Sequence, residues 1–143
     1  MTTGIWTARL LALVGFADAA YLTATHYAGG AVFCGPSGGC ETVLTSEYAT
    51  LGPVPLALLG ALYYAAVSLI AWTRPPWSRG VARALAGLTG VALAVSGALI
   101  WVQAALLEAW CRFCLASASI TVLLFATALW LTRRVSAGPP DSV

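Results

Sequence analysis

Four long apolar stretches, separated by short polar segments, dominate the pattern of the chain. They run roughly over residues 5–27, 54–72, 81–107 and 113–132. Each approaches or exceeds the roughly 20 residues that an α-helix needs to cross about 30 Å of hydrocarbon at 1.5 Å per residue. The pattern predicts an all-α integral membrane protein built as a four-transmembrane-helix bundle.

The segment between the first two apolar stretches is the longest polar part of the chain, over residues 29–53. Within it, residues 41–48 predict a short helix on the lumenal or periplasmic surface of the membrane, because Val43, Leu44 and Tyr48 can share one apolar face. The expected fold is therefore four membrane helices with one short surface helix.

The boundaries of the elements follow from proline and from polarity. Pro53 and Pro55 are expected at the start of the second membrane helix, where a missing N–H costs little. Residues 1–135 are predicted to form one four-helix membrane domain. Residues 136–143 are polar and include two prolines, which predicts a disordered cytoplasmic tail.

Small residues recur at every fourth position of two apolar stretches, and such rows let membrane helices approach closely. We interpret them as packing seams of the bundle. The rows are Ala57, Ala61 and Ala65 in the second stretch, and Ala82, Ala86, Gly90, Ala94 and Ala98 in the third.

Composition supports lipid as the main solvent of the chain. Charged residues make up 8% of the sequence and hydrophobic residues 60%, whereas about 25% of a typical soluble domain is charged. The mean hydropathy is +0.87. A net charge of only +2 gives no support to a nucleic-acid partner.

The arginines predict the orientation in the membrane. With four crossings, Arg112 falls on one side and the other six arginines fall on the opposite side. The positive-inside rule then places both termini in the cytoplasm of a multi-pass protein of the cell inner membrane. The six are Arg9, Arg74, Arg79, Arg83, Arg133 and Arg134.

All four cysteines fall in the two segments predicted to face outward, where disulfides form and persist. Cys111 and Cys114 form a C-x-x-C motif at the start of a helix, where the helix terminus and Arg112 favour a thiolate. Cys34 and Cys40 flank a glycine-rich loop that can open and close. Two such pairs on one side of a membrane predict a thiol–disulfide relay.

The end of such a relay must be an electron acceptor that lives in lipid, and a quinone accepts the two electrons that a dithiol gives up. Two alternatives stay open at this point. The cysteines could form structural disulfides in a protein that is not an enzyme. They could also form a zinc site, although the spacing of Cys34 and Cys40 exceeds the usual two to four residues.

The order of these motifs resembles the vitamin K epoxide reductase family in its bacterial form, over roughly residues 5–134. A spaced cysteine pair follows the first helix, and a C-x-x-C opens the fourth. The segment from Cys40 to Tyr48 is similar to the family pattern C-x-x-V-x-x-S-x-[YW]. The disulfide-bond protein B family has the two pairs in the reverse order, which argues against that family. Further similar positions are Tyr21, Leu22, Thr23, His26, Gly52, Pro55 and Gly60.

The resemblance implies roles for the cysteines. Cys114 is expected to face the quinone, of the menaquinone, ubiquinone or vitamin K type, and Cys40 to exchange with Cys111. Either Cys34 or Cys40 is expected to form a mixed disulfide with a thioredoxin-like periplasmic protein. Ser46 matches the loop serine or threonine of the family, which helps position the relay.

The chain departs from vertebrate members at two positions near the expected quinone. Ala118 stands where they carry Tyr, and Leu56 stands where they carry Asn. The resemblance links that Tyr and that Asn in vertebrate members to the binding of vitamin K. The resemblance therefore favours quinone reduction coupled to disulfide formation, with recycling of a quinone or of vitamin K epoxide as the alternative.

Two further ionisable residues lie in or near the first helix. His26, near its outer end, is a candidate proton shuttle for a quinone, and a hydrogen-bonded interfacial histidine is the alternative. Asp18 lies in mid-helix, where an ionisable group is a functional hypothesis by default.

Overall fold

The computed structural model describes residues 2–73 and 78–138. Within these ranges the chain is mostly helical. Three helices are long and apolar enough to cross a membrane, and a fourth apolar helix is shorter, with 18 residues. The helices are α1 (Thr2–Ala28), α2 (Gly39–Leu44), α3 (Leu56–Thr73), α4 (Arg79–Ala105) and α5 (Arg112–Ala137).

Small side chains let the long helices pack closely. α1 packs along α3 and against α5, and α4 packs against α5, whereas α3 and α4 make few contacts with each other. This leaves a gap between α3 and α4. The buried core on the packed side consists of Ala8, Ala12, Ala19, Ala61, Tyr64, Val67, Leu85, Leu124 and Ala128.

Tyr64 connects three of these helices. Its ring packs directly on Gly15 of α1, where an added Cβ would overlap the ring carbons Cε1, Cζ and Cδ1. Its hydroxyl reaches α5, where it lies 2.8 Å from the Ser117 carbonyl oxygen and 3.1 Å from the Thr121 hydroxyl. Gly15 is therefore required by the close approach of α1 and α3.

The predicted seam of small residues in α4 is only half correct. Ala82 is fully buried, and an added Cβ on Gly90 would lie 3.2 Å from Phe125 of α5. Ala94 and Ala98 are exposed. A row with a four-residue spacing drifts by about 40° around the helix at each step, so its second half turns away from α5.

One end of the bundle gathers the basic residues. The Arg9 guanidinium lies over the rings of Trp6 and Trp72, at 5.1 and 4.7 Å, and its Nε donates to the Ala71 carbonyl at 2.9 Å. The start of α1 and the end of α3 therefore meet. Arg134 lies over Trp130 at the end of α5. Arg74, the Pro75–Pro76 pair and residues 139–143 lie outside the described residues.

The outer segment does not form the predicted single helix over residues 41–48. α2 ends at Leu44, and a separate 3₁₀ helix covers Glu47–Ala49. The hydroxyls of Thr45 and Ser46 donate to the carbonyls of Glu41 and Val43, each at 2.7 Å. These side-chain bonds compete with continuation of the helix. Another 3₁₀ turn, Gly35–Ser37, precedes α2.

A short hairpin leads into α3, so the predicted start of this helix at Pro53 and Pro55 is wrong. β1 (Thr50–Leu51) pairs antiparallel with β2 (Val54–Pro55), with Leu51 opposite Val54. α3 begins at Leu56 because the residues before it belong to this hairpin. At the other end of the chain, α5 continues to Ala137, two residues into the predicted tail.

We expect Gly15→Ala to lower the melting temperature in detergent, because its methyl group overlaps the ring of Tyr64. Overpacking of this kind costs about 1–3 kcal/mol. Gly87→Ala is the matched control, since Gly87 is also helical and an added Cβ there meets nothing within 4 Å. Equal melting temperatures for the two variants would contradict the contact.

Candidate redox site

The four cysteines meet at the end of the bundle opposite Arg9 and Arg134. Cys34, Cys40, Val43 and Cys111 form one buried group, here called the cysteine cluster, and Cys114 packs against it. Cys40 is 1% exposed and Cys111 is fully buried. The structure thus brings the loop pair and the C-x-x-C pair together, although 70 residues lie between Cys40 and Cys111 in the sequence.

The two pairs differ in how their sulfurs are bonded. Cys34 and Cys40 form a disulfide with their Cα atoms 5.9 Å apart, while Cys111 and Cys114 are free thiols. Gly35 and Gly38, inside the loop that the disulfide closes, have φ angles of 69° and 53°. Other residues rarely adopt such angles, so glycine permits this tight loop.

A backbone contact holds the loop pair against the C-x-x-C segment. An added Cβ on Gly39 would lie 2.5 Å from the Trp110 carbonyl oxygen and 2.8 Å from its nitrogen. Only a glycine lets the two chains approach this closely. The residues that follow, Cys40 and Cys111, both enter the cysteine cluster as a result.

Cys111 lies at the N-terminal cap of α5, in an extended conformation. The Cys114 thiol donates to its sulfur and, with the backbone N–H groups of Phe113 and Cys114, lowers the pKa of Cys111 to about 7. Burial and the negative charge of Asp18 oppose this lowering. The sequence predicted a role for Arg112 here, but Arg112 is exposed and the pKa is lowered by these hydrogen bonds.

Gln103 of α4 was missed by sequence reasoning. Its side-chain oxygen Oε1 accepts the Cys111 N–H at 2.9 Å, and its main-chain carbonyl accepts the Ala109 N–H at 3.1 Å. It is 2% exposed. A signal was available, because Gln103 is the only carboxamide side chain in the sequence and lies inside an apolar stretch.

A cavity of about 1050 Å³ fills the gap between α3 and α4 and extends under the 29–50 segment. Of the four cysteines, all of which are described, Cys114 alone lines it. The other residues predicted to contact a quinone line the same cavity. They are Ala118, Leu56, Ser46 and His26.

These four residues differ in their surroundings. Ala118 is buried, and Leu56 is half-buried at the first position of α3. The Ser46 hydroxyl is occupied by its bond to the Val43 carbonyl. His26 is exposed, with its ring edge-on to that of Tyr27. The structure brings the residues together, and their roles stay predictions.

The lining also contains polar side chains beyond those predicted. Ser117 and Thr121 follow Cys114 at three and seven positions along α5, a spacing that places them on one helix face. This spacing could have identified them. Asp18 lines the cavity as well, and its Oδ2 is buried without a hydrogen-bond partner among the described residues.

A model of the vitamin K epoxide reductase family matches residues 6–129. The chain belongs to the vitamin K epoxide reductase family. The match includes all four cysteines and every cavity residue named above, and it confirms the resemblance. Membership in this oxidoreductase family, together with three helices able to span a membrane, indicates a membrane redox enzyme. Comparison with curated proteins gave no match.

In this family member, we expect a larger fraction of Cys111 to be ionised at neutral pH than of an ordinary thiol, because its pKa is lowered to about 7. With Cys34 and Cys40 replaced by serine and Cys114 kept reduced, the alkylation rate of Cys111, followed by peptide mass spectrometry, should rise with pH around a midpoint of about 7. The rate rises because deprotonation above the pKa forms the nucleophile. A midpoint at the ordinary thiol value of about 8.5 would contradict this environment.

We expect Gly39→Ala to separate Cys40 from Cys111, because the methyl group collides with the Trp110 backbone. In a Cys34→Ala, Cys114→Ala background, the remaining two cysteines should form a disulfide under mild oxidation, and Gly39→Ala should reduce its yield severalfold. Mass-tagging of free thiols on a gel measures the yield.

Gly30→Ala is the control for this experiment, since Gly30 is in the same segment and meets nothing within 4 Å. It should leave the disulfide yield unchanged. Equal yields in the two glycine variants would show that the contact does not govern the approach of the cysteines.

Proposed function

We propose that this protein is a quinone-dependent thiol–disulfide oxidoreductase that supports disulfide bond formation outside the cytoplasm. Electrons pass from a thioredoxin-like periplasmic protein through Cys34 and Cys40 to Cys111 and Cys114, and on to a quinone. The observation that carries the proposal is the position of the C-x-x-C. Cys111 packs with the loop disulfide, while Cys114 lines the large cavity.

The electron balance follows from the two cysteine pairs. The partner's dithiol reduces the Cys34–Cys40 disulfide and becomes a disulfide itself. The new loop thiols then reduce a Cys111–Cys114 disulfide by exchange, re-forming their own bond. In the last step, Cys111 and Cys114 form a disulfide and release two electrons and two protons, which a bound quinone accepts.

The two loop cysteines take different parts in this scheme. Cys34 is 7% exposed, whereas Cys40 is 1% exposed and is carried toward Cys111 by the Gly39 contact. This difference favours Cys34 for the mixed disulfide with the partner and Cys40 for the internal exchange. Phe33, next to Cys34, is 82% exposed and supplies an apolar surface for the partner.

The cavity suits a quinone headgroup. Its volume is at the upper end of pockets for small organic ligands, and its lining is mainly apolar with a few polar groups. Leu56 and Ala118 add apolar surface where vertebrate relatives have amide and hydroxyl groups. This substitution favours plain quinone reduction over the reduction of vitamin K epoxide.

The proposed topology completes the scheme. α3 crosses the membrane as the fourth helix, and the end that carries Arg9 and Arg134 faces the cytoplasm of a bacterial cell. The cysteine cluster then faces the oxidising side of the inner membrane, where disulfides persist.

The decisive test is quinone reduction by the purified protein in detergent. With a reduced thioredoxin-like protein as donor and a soluble menaquinone or ubiquinone analogue as acceptor, we expect turnover, and Cys114→Ser should abolish it. Ser119→Ala, an exposed position on the same helix, should leave the rate unchanged. Full activity of Cys114→Ser would overturn the relay.

A further inference from the structure

Gln103 lies near the outer end of α4 and is 2% exposed. An amide buried in a membrane helix costs free energy unless its polar atoms find partners. The contacts of both ends of this side chain therefore indicate what it does.

The carbonyl end of the side chain holds the redox centre. Oε1 lies 2.9 Å from the Cys111 nitrogen, and the atom in contact must be the oxygen, because a backbone N–H can only donate. Together with the bond from the Ala109 N–H to the Gln103 main-chain carbonyl, this contact fixes the segment that leads into the C-x-x-C.

Gln103 also contributes to the cavity wall. Gln103 lines the cavity together with Cys114. Its NH₂ group carries two donors, and the bonds that Gln103 makes within the described ranges use its two carbonyl groups. The NH₂ group therefore has no partner in those ranges, and it is not one of the fully buried unpartnered atoms there. It follows that the group is accessible, so its donors are open to a ligand.

We propose that Gln103 joins the two halves of the site. Its side-chain carbonyl positions Cys111 at the start of α5, and its NH₂ group donates a hydrogen bond to a carbonyl oxygen of the quinone-class acceptor. The second part rests on the proposed function, whereas the first part does not depend on it.

The first part has a direct consequence for the thiol. Cys111 keeps an extended backbone, with φ −98° and ψ 114°, and in this conformation its sulfur meets the N–H groups of Phe113 and Cys114. Loss of the Gln103 oxygen leaves a buried N–H without an acceptor. Rotation of the backbone toward another acceptor then lowers the free energy. This rotation moves the sulfur away from the two N–H donors.

The second part supplies a donor that Leu56 and Ala118 lack. Leu56 and Ala118 line the cavity without any polar side-chain atom, where vertebrate relatives carry Asn and Tyr. Gln103 offers an amide from α4 instead. A fixed donor stabilises the negative charge that develops on a quinone oxygen as electrons arrive.

Two measurements on Gln103→Met test the two parts. In the variant that keeps only Cys111 and Cys114, the pH midpoint of Cys111 alkylation should move from about 7 toward the ordinary value of about 8.5. In the protein with all four cysteines, the KM for the quinone analogue should rise about tenfold, as expected for the loss of one hydrogen bond.

Thr89→Val is the matched control, since it also removes a buried polar group from α4. The Thr89 hydroxyl donates only to the carbonyls of its own helix, at Leu85 and Ala86, and Thr89 is fully buried. Both the midpoint and the KM should stay at their unsubstituted values. If Gln103→Met fails to fold, Gln103→Asn keeps the amide but shortens its reach, and we expect the same two shifts.

The outcomes separate the two proposals. An unchanged alkylation midpoint overturns the positioning of Cys111, and an unchanged KM overturns the donor to the quinone. If the unsubstituted protein reduces no quinone, the proposed function and the donor role both fail. The Cys111 titration then still decides the positioning role.

Discussion

The contact between the Gly39 and Trp110 backbones is the constraint on which the site depends. Thiol exchange needs sulfur atoms within bonding reach, and the two cysteine pairs come from segments far apart in the sequence. A side chain at position 39 would keep the loop off the C-x-x-C segment. With glycine there, Cys40 and Cys111 enter one buried cluster. The helices serve this contact by bringing the end of α1 and the start of α5 to the same end of the bundle.

The uneven packing of the helices explains why a cavity lies beside the C-x-x-C. α3 packs on α1 and α4 packs on α5, so a gap opens between α3 and α4. The C-x-x-C lies at the border of that gap. Cys111 lies in the buried cluster with the loop cysteines and Cys114 lines the cavity, so one pair of sulfurs faces both the loop disulfide and the cavity.

The elements set by apolar length and motif spacing were predictable, whereas those set by individual side-chain hydrogen bonds or by the position of a neighbouring helix were not. Apolar length predicted α1, α4 and α5, and motif spacing predicted the two cysteine pairs. The end of α2 at Leu44 depends on the hydroxyl bonds of Thr45 and Ser46, and hydroxyl residues do not by themselves end a helix. The seam in α4 failed beyond Gly90 because a four-residue repeat drifts around the helix while its partner stays on one side.

The polar residues of the apolar helices show how such side chains find hydrogen-bond partners inside the protein. In lipid, a polar side chain has no water to satisfy it, so it must find a partner inside the protein. Tyr64 does so through Ser117 and Thr121, which stabilise the packing of α3 against α5. Gln103 does so through the backbone of Cys111. The first pairing fixes helices and the second fixes a reactive residue, although both look alike in the sequence. What separates them is position, because Gln103 lies within one turn of the helix end that faces the cysteine cluster. In a membrane protein of this kind, a lone amide close to a C-x-x-C is therefore a candidate for positioning the reactive cysteine.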